Sequence, residues 1–336
     1  MPGLLLSLRA KKVIGKKMRS SRVDVLIIGA GPAGLSAAIE LKKSGIKEVR
    51  VIEREQQAGG IPRHSYHPGY GVRDLRRFLS GPRYAKFYVE RAERLGVEIS
   101  TKNTATDLVD KNKIKLTSPN GLEQVSAKAI VLATGARERG RSARAVAGKR
   151  PAGIYTTGSL QQATYLEDLY IGKRALIVGA EHVSFSAVMT LKHGGVKTVA
   201  MICETKRHQT VFGIPTILKL IYRFKLHTAT KLLEIQGDKR VTGALLEKNG
   251  KRWVVDVDTI IFTGDWIPDH ELARKADIAI DSRYKSPIVG KDHQVAGSNI
   301  YSIGNLILPI KAADQCALEA KKIAKIIAKR LDKVKV

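Results

Sequence analysis

A chain of 336 residues with 43% hydrophobic content can bury a sizeable core and has the length for two domains, so a disordered or single-module reading is excluded. Its formal net charge of +28 favours anionic partners, but the excess gathers in 9–22 and 321–335 as solvated ends, and without zinc-finger spacing, a ribonucleoprotein motif or an aromatic stripe no nucleic acid is expected. Cys203 and Cys316 are the only cysteines, which excludes a CxxC pair, a disulfide framework, a metal site of four ligands and an iron–sulfur cluster, and suits a reducing cytoplasm.

Residues 1–22 read as a basic leader. Their short apolar stretch, Leu4 to Leu8, precedes its charges rather than following them, the wrong order for a secretory signal. Nothing elsewhere reaches the roughly 20 apolar residues of a membrane span, so membrane contact is peripheral at most.

The strongest signal is Val23–Glu40, "VDVLIIGAGPAGLSAAIE". An apolar run, Val23 to Ile28, predicts a buried parallel strand, and Gly29-x-Gly31-x-x-Gly34 then opens a helix with Leu35, Ala38, Ile39 and Leu41 on its apolar face. In that setting Gly29 makes the tight turn, Gly31 lets a pyrophosphate approach the backbone, and Gly34 packs helix on strand. The pyrophosphate sits at the helix N-terminus. A second strand, "EVRVIE", ends at Glu53, placed to accept a ribose hydroxyl.

The segment Gly59–Gly71, "GGIPRHSYHPGYG", is a glycine- and proline-punctuated loop that exposes Arg63, His64, Tyr66, His67 and Tyr70. Two histidines suit proton transfer near neutral pH, and Arg63 suits a bidentate grip on a carboxylate. The competing reading is that His64 and His67 only pack and hydrogen-bond the loop. Arg73, Arg76 and Arg77 read as a solvated helix face.

Residues 174–204, "RALIVGAEHVSFSAVMTLKHGGVKTVAMICE", repeat the strand, loop, helix, strand and terminal acid of a dinucleotide unit. Gly179 aligns with Gly29, Glu181 with Gly31 and Ser184 with Gly34, and Glu204 supplies the acid. A carboxylate about 4 Å from a phosphate costs on the order of 4 kcal/mol per like-charge pair at an effective dielectric near 20. Three readings stay open: a scaffold that binds no nucleotide, weak NAD(H) binding with Glu181 swung outward, and a contact with another subunit through Glu181 and His182. Cys203 and Cys316 are expected in the core, Cys316 on a C-terminal amphipathic helix. Asp265 and Asp269, in "TGDWIPD", read as turn chemistry.

The ordered set "GAGPAG", Glu53, "GGIPRH", "VLATGARER", the second loop and "NIYSIGN" at 299–305 resembles the flavoproteins with two dinucleotide domains, the thioredoxin reductase and pyridine nucleotide-disulfide oxidoreductase fold. The match runs from residue 23 onward. Within that group, "GARERGRSARAV", "PAGIYTTGSLQQ" and "LSGPRYAKFYVERAERLGVEI" are most similar to FAD subunits of the opine oxidase, proline dehydrogenase and hydrogen cyanide synthase type.

The resemblance implies an α/β protein of two doubly wound, Rossmann-like domains, the second inserted in the first. The FAD domain is 23–140 with 265–336, and the NAD(P)-binding-like domain is 150–264. FAD contacts are implied for Gly29, Gly31, Pro32, Ala33, Gly34, Glu53, Arg54, Gly60, Ile61, Ala105, Thr134, Gly135, Gly304 and Asn305. Asn305 stands where the family carries an aspartate for the ribityl chain, and its amide still hydrogen-bonds a hydroxyl. The second nucleotide site, Gly179, Glu181, Ser184 and Glu204, is implied only weakly.

The expected function is that of an FAD-dependent oxidoreductase without a redox-active CxxC, as the FAD subunit of a multi-component amine, imino-acid or hydroxy-acid dehydrogenase. Its partners would be a small-molecule substrate and a dehydrogenase or iron–sulfur subunit. Two alternatives are a stand-alone NAD(P)H-dependent flavin reductase or dehydrogenase and a non-catalytic FAD-binding scaffold. Candidate catalytic residues are His64, His67 and Arg63, and no metal is expected.

Overall fold

The computed structural model describes residues 18–209 and 219–333. Most of the basic leader, residues 1–17, lies outside the described residues.

Val25, Leu26 and Ile27 are fully buried, as an apolar run must be when a sheet is covered on both faces. They belong to Arg19–Ile28, the central strand of a seven-stranded sheet in the order Glu98–Ser100, Val49–Ile52, Arg19–Ile28, Gly121–Leu132, Lys113–Ser118 and Thr104–Asp110. The long strand Gly121–Leu132 runs parallel to the central strand and antiparallel to Lys113–Ser118. Its last residues pair in parallel with Ile300–Ser302, so late sequence returns to complete the early sheet.

One face carries the helices Pro32–Lys43, Gly81–Arg94 and Ala313–Lys333, whose apolar residues form a single core with Val25, Ile27, Val49 and Val51. Ala313–Lys333 is the expected C-terminal amphipathic helix. It buries Cys316, Ala317, Ala320, Ile323, Ala324, Ile327 and Ala328 and leaves its lysines outside.

The second unit is five parallel strands in the order Ile154–Thr156, Thr259–Phe262, Arg174–Val178, Lys197–Ile202 and Lys225–His227. Helices Thr157–Tyr165 and His182–His193 contribute to the core on one face, and strands Lys231–Gly237 and Val241–Lys248 to that on the other. The chain passes between the units twice. The two passages, Ala136–Glu138 and Trp266–Pro268, pair antiparallel, so the second unit is inserted in the first.

One boundary differs from expectation. The central strand starts at Arg19 instead of Val23, and Arg19–Val23 pair with Glu123–Ala127. The reason is a buried charge cluster: Arg50 makes two hydrogen bonds to Glu123, at 2.7 and 3.1 Å, and Ser21 donates to the same carboxylate at 2.6 Å. Arg50 also meets Glu98 at 2.8 Å.

The bond from Arg50 holds the Glu123 carboxyl below its ordinary range. A depressed carboxylate stabilises fully above its unfolded value and loses that contribution as pH falls through the folded one. Glu123→Ala leaves Arg50 with the exposed Glu98 as its remaining carboxylate, beside the hydroxyls of Ser100 and Ser21, and should cost about 3 kcal/mol in urea unfolding at pH 7, with the deficit shrinking below about pH 4. A loss under about 0.5 kcal/mol would contradict this, since that is the range of surface pairs.

Candidate functional site

The carboxyl ends of the parallel strands of both units open onto one cavity of about 1710 Å³. Its lining runs from Gly29, Gly31, Glu53 and Thr134 in the first unit to Gly179, Glu181 and Thr263 in the second. Ligands of open α/β sheets bind at such strand ends.

In the first loop, the three glycines differ in what constrains them. Gly29 has φ +110°, and a Cβ there would lie 2.4 Å from the Ala133 carbonyl oxygen; at Gly34 it would lie 1.9 Å from the Gly29 oxygen. Both are needed by the turn itself. A Cβ at Gly31 meets nothing nearer than Gly60 Cα at 4.0 Å, so the protein's own packing admits a side chain where the cavity does not want one. Helix Pro32–Lys43 begins at Gly31 with no side-chain cap. Its first N–H groups therefore remain for an anion from outside the chain.

Around this cradle, Glu53 is buried and accepts from the N–H of Ala30 at 3.0 Å and of Glu55 at 2.9 Å. Carboxylate lone pairs remain for ribose hydroxyls. Pro32, Ala33, Arg54, Gly60, Ile61, Ala105, Thr134, Gly135 and Asn305 also line the cavity. Gly60, at φ +63°, is held against Gly31, where a Cβ would approach Gly31 Cα to 2.8 Å. Gly34 and Gly304 sit behind the lining, Gly34 as a packing contact and Gly304 through its N–H to Glu319 at 3.1 Å.

An open helix N-terminus, an unobstructed glycine and a buried strand-end acid fit the pyrophosphate and ribose of FAD. Asn305 fits less directly. Its amide oxygen accepts from the Lys311 N–H at 2.9 Å and its amide nitrogen donates to the Lys311 carbonyl at 3.2 Å. It closes the loop 305–311, leaving one amide hydrogen for a ribityl hydroxyl.

The loop 59–71 bridges the two units. His64 is buried, and its Nδ1 lies 3.3 Å from Gln161 Oε1, while Gln161 Nε2 donates to Ser186 at 2.8 Å. That amide orientation makes Nδ1 the protonated nitrogen of a neutral ring, and burial lowers the His64 pKa to about 4. Tyr66 stacks on Tyr165 at 4.1 Å. His67 points Nδ1 at the Pro68 carbonyl at 2.8 Å, which leaves Nε2 as its proton acceptor, and burial lowers its pKa.

Arg63 reaches Gln57 at 3.5 Å and Glu55 at 3.9 Å, and its Nε is buried without a partner. All three candidates, His64, His67 and Arg63, line the cavity. Arg73, Arg76 and Arg77 lie on no helix face: Arg73 is in a turn, Arg76 in a bend and Arg77 in the irregular stretch that follows. Arg73 is no idle surface charge, since its guanidinium and N–H both bind the buried Asp314.

At the second loop, Gly179, Glu181 and Glu204 line the cavity and Ser184 is buried behind it. The backbone register corrects the choice of Glu204. Gly29 donates to the Ile52 carbonyl at 2.8 Å and Gly179 to the Ile202 carbonyl at 2.8 Å, so Cys203, one residue earlier, occupies the place of Glu53. Glu204 lies one step beyond the strand end and is exposed.

Sequence reasoning missed Glu138 and Arg144. Glu138 accepts the Gly158 N–H at 2.8 Å at the start of helix Thr157–Tyr165, and burial raises its pKa. Arg144 donates to the carbonyls of Thr263 and Gly264 at 2.9 Å each and lies over the Phe262 ring. The dense charge of "GARERGRSARAV" was the available signal. Its spacing matches no motif, because these residues act across the domain crossing.

Gly31→Glu should leave a folded protein that no longer retains flavin, read from the visible absorbance of the purified chain against its thermal unfolding midpoint. A fully yellow Gly31→Glu variant would contradict the cradle.

The comparisons with known proteins agree with this fold. The family model described as "Pyridine nucleotide-disulphide oxidoreductase" matches residues 23–325. An opine oxidase subunit of Rhizobium meliloti is 23% identical over 312 residues, covering 84% of this chain and 58% of that protein. The chain thus spans less than two thirds of that relative.

Among solved structures, T. acidophilum thioredoxin reductase superposes with a TM-score of 0.77 at 18% identity, covering 92% of this chain and 98% of that one. L-proline dehydrogenase from P. horikoshii gives 0.70 at 20% identity, covering 94% of this chain and 57% of that one. The disulfide that names the family has no counterpart here, because both cysteines are buried, unpaired thiols and burial raises that of Cys316 to about 12. The chain belongs to the pyridine nucleotide-disulphide oxidoreductase family.

Proposed function

We propose that the chain is the FAD-carrying subunit of a multi-component dehydrogenase acting on a small amine, imino acid or hydroxy acid in the cytoplasm. The observation that carries this reading is the pairing of an open FAD cradle with the absence of any cysteine pair in the sequence. Electrons arriving at such a flavin have no thiol relay within the chain, so they leave to another protein. Likeness to a relative named as one subunit of an opine oxidase supports the same reading.

FAD, when bound, supplies a two-electron acceptor for the donor. The chain's own residues have separate tasks. Gly31 and the N-terminus of helix Pro32–Lys43 hold the pyrophosphate, and Glu53 orients the ribose. Arg63 supplies the cation that attracts a carboxylated donor, and Nε2 of His67 accepts a proton from it. His64, neutral through the physiological range, fixes the loop against Gln161. The partner, a dehydrogenase or iron–sulfur subunit, takes the electrons onward.

The test is an anaerobic titration of the flavin-loaded protein, together with any subunit that co-purifies, following the visible flavin band. Secondary amino acids and 2-hydroxy acids are compared with NADH and NADPH. Bleaching by a member of the first group, and by neither nicotinamide, is expected. Stoichiometric bleaching by NADH or NADPH would instead establish a stand-alone nicotinamide-linked reductase.

A further inference from the structure

The two dinucleotide units share a set of backbone hydrogen bonds at their strand ends. Ala133 donates to the Ile28 carbonyl as Thr263 does to that of Val178. Gly59 donates to the Ala30 carbonyl at 2.9 Å as Gln209 does to that of Ala180 at 2.9 Å. Glu53 and Cys203 likewise hold matching places, donating to Ser100 and His227 and accepting from Asn103 and Thr230. With the strand ends in register, the side chains of the two loops can be compared place by place.

Those differences all remove nucleotide chemistry. In the first loop the Ala30 N–H is taken by Glu53 from the neighbouring strand end. In the second, Cys203 offers no carboxylate, and the Ala180 N–H is taken by Glu181 Oε2 at 2.9 Å. At the start of helix His182–His193 the Glu181 N–H donates to Ser184 Oγ at 3.2 Å, and Glu181 Oε1 is buried without a partner.

The carboxylate lies inside the cradle, not out in solvent. A Cβ built on Gly179 would meet both Glu181 oxygens at 2.9 Å, and one on Gly264 would meet Oε1 at 2.5 Å. Gly31, its counterpart in the first loop, faces open space. The remaining substitutions accommodate this arrangement. Ser184, in place of Gly34, has its hydroxyl 2.7 Å from that of Thr263, which stands in place of Ala133. Arg144, held on the Thr263 and Gly264 carbonyls, has three carboxylates acting on its charge, Asp265 ahead of Glu181 and Glu138.

We infer that the second dinucleotide loop is closed by its own side chain: the Glu181 carboxylate lies within the turn, on the Ala180 N–H, and the chain does not bind NAD(P)H there. The nicotinamide dinucleotide that the family's fold implies does not fit the residues present. The helix N-terminus that would attract a phosphate already carries an anion. A pyrophosphate would have to displace a carboxylate tethered to the same turn. This inference stands on the second loop alone and does not depend on which amine, imino acid or hydroxy acid reduces the flavin.

The experiment is calorimetric titration of the flavin-loaded wild type, Glu181→Gln and Glu181→Gly with NADH and, separately, ADP-ribose. The readout is binding, independent of turnover, and flavin retention at the first loop reports that each variant is folded. Wild type should give no saturable heat. Glu181→Gly should bind both probes at least tenfold more tightly, with Glu181→Gln between them because it removes the charge and keeps most of the bulk. Equal affinities for wild type and Glu181→Gly, whether both tight or both absent, would overturn the proposal.

Discussion

The close approach of the strand ends at Gly29 is the constraint on which the rest depends. The Ala133 carbonyl comes so near that no side chain fits at Gly29, and the Gly29 oxygen in turn forbids one at Gly34. These contacts fix where helix Pro32–Lys43 starts and therefore where its unbonded N–H groups point. They also bring Thr134 and Gly135 to the cavity, from which the chain leaves for the second unit and to which it returns at Asp269, through bonds from Thr134 Oγ1 at 2.7 Å and to Gly135 O at 2.9 Å. A displaced turn would misplace the cradle and the crossing together.

Given that frame, the difference between the units is one of electrostatics at two helix N-termini. Each helix presents the same positive end to the same kind of turn. One is left for an external anion, and the turn before the other already holds the Glu181 carboxylate on the Ala180 N–H. The fold tolerates both because the backbone geometry does not depend on which anion is there. A single cavity thus contains one cradle open to a dinucleotide and one filled from within, and the loop 59–71, anchored by His64 on Gln161 and by Tyr66 on Tyr165, lies between them.

The first unit was largely legible from the sequence because its signals are local. The run Val23–Ile28, the three glycines and Glu53 lie within about thirty residues, and each has a steric or hydrogen-bonding reason for its position. The strand's earlier start at Arg19 was not legible, since it depends on Glu123, a hundred residues away, and on Arg50 from the neighbouring strand. The misplacement of Glu204 has a similar cause. An acid is conspicuous in sequence, whereas the residue at the strand end is set by which carbonyl accepts the Gly179 N–H. Glu181 was visible as an anomaly, but its side chain's direction was not, and that direction decides whether it blocks the loop. Arg144 and Glu138 were hidden because their partners lie across the domain crossing.

The central claim is that one dinucleotide, FAD, is held at the first loop while the second is self-closed. A crystal structure of the flavin-loaded protein soaked with millimolar NADH tests it most directly. The account predicts FAD across Gly31 and Glu53, with the Glu181 carboxylate still on the Ala180 N–H and no nucleotide at helix His182–His193. NADH seated on that helix with Glu181 turned away, or no flavin at Gly31, would contradict it.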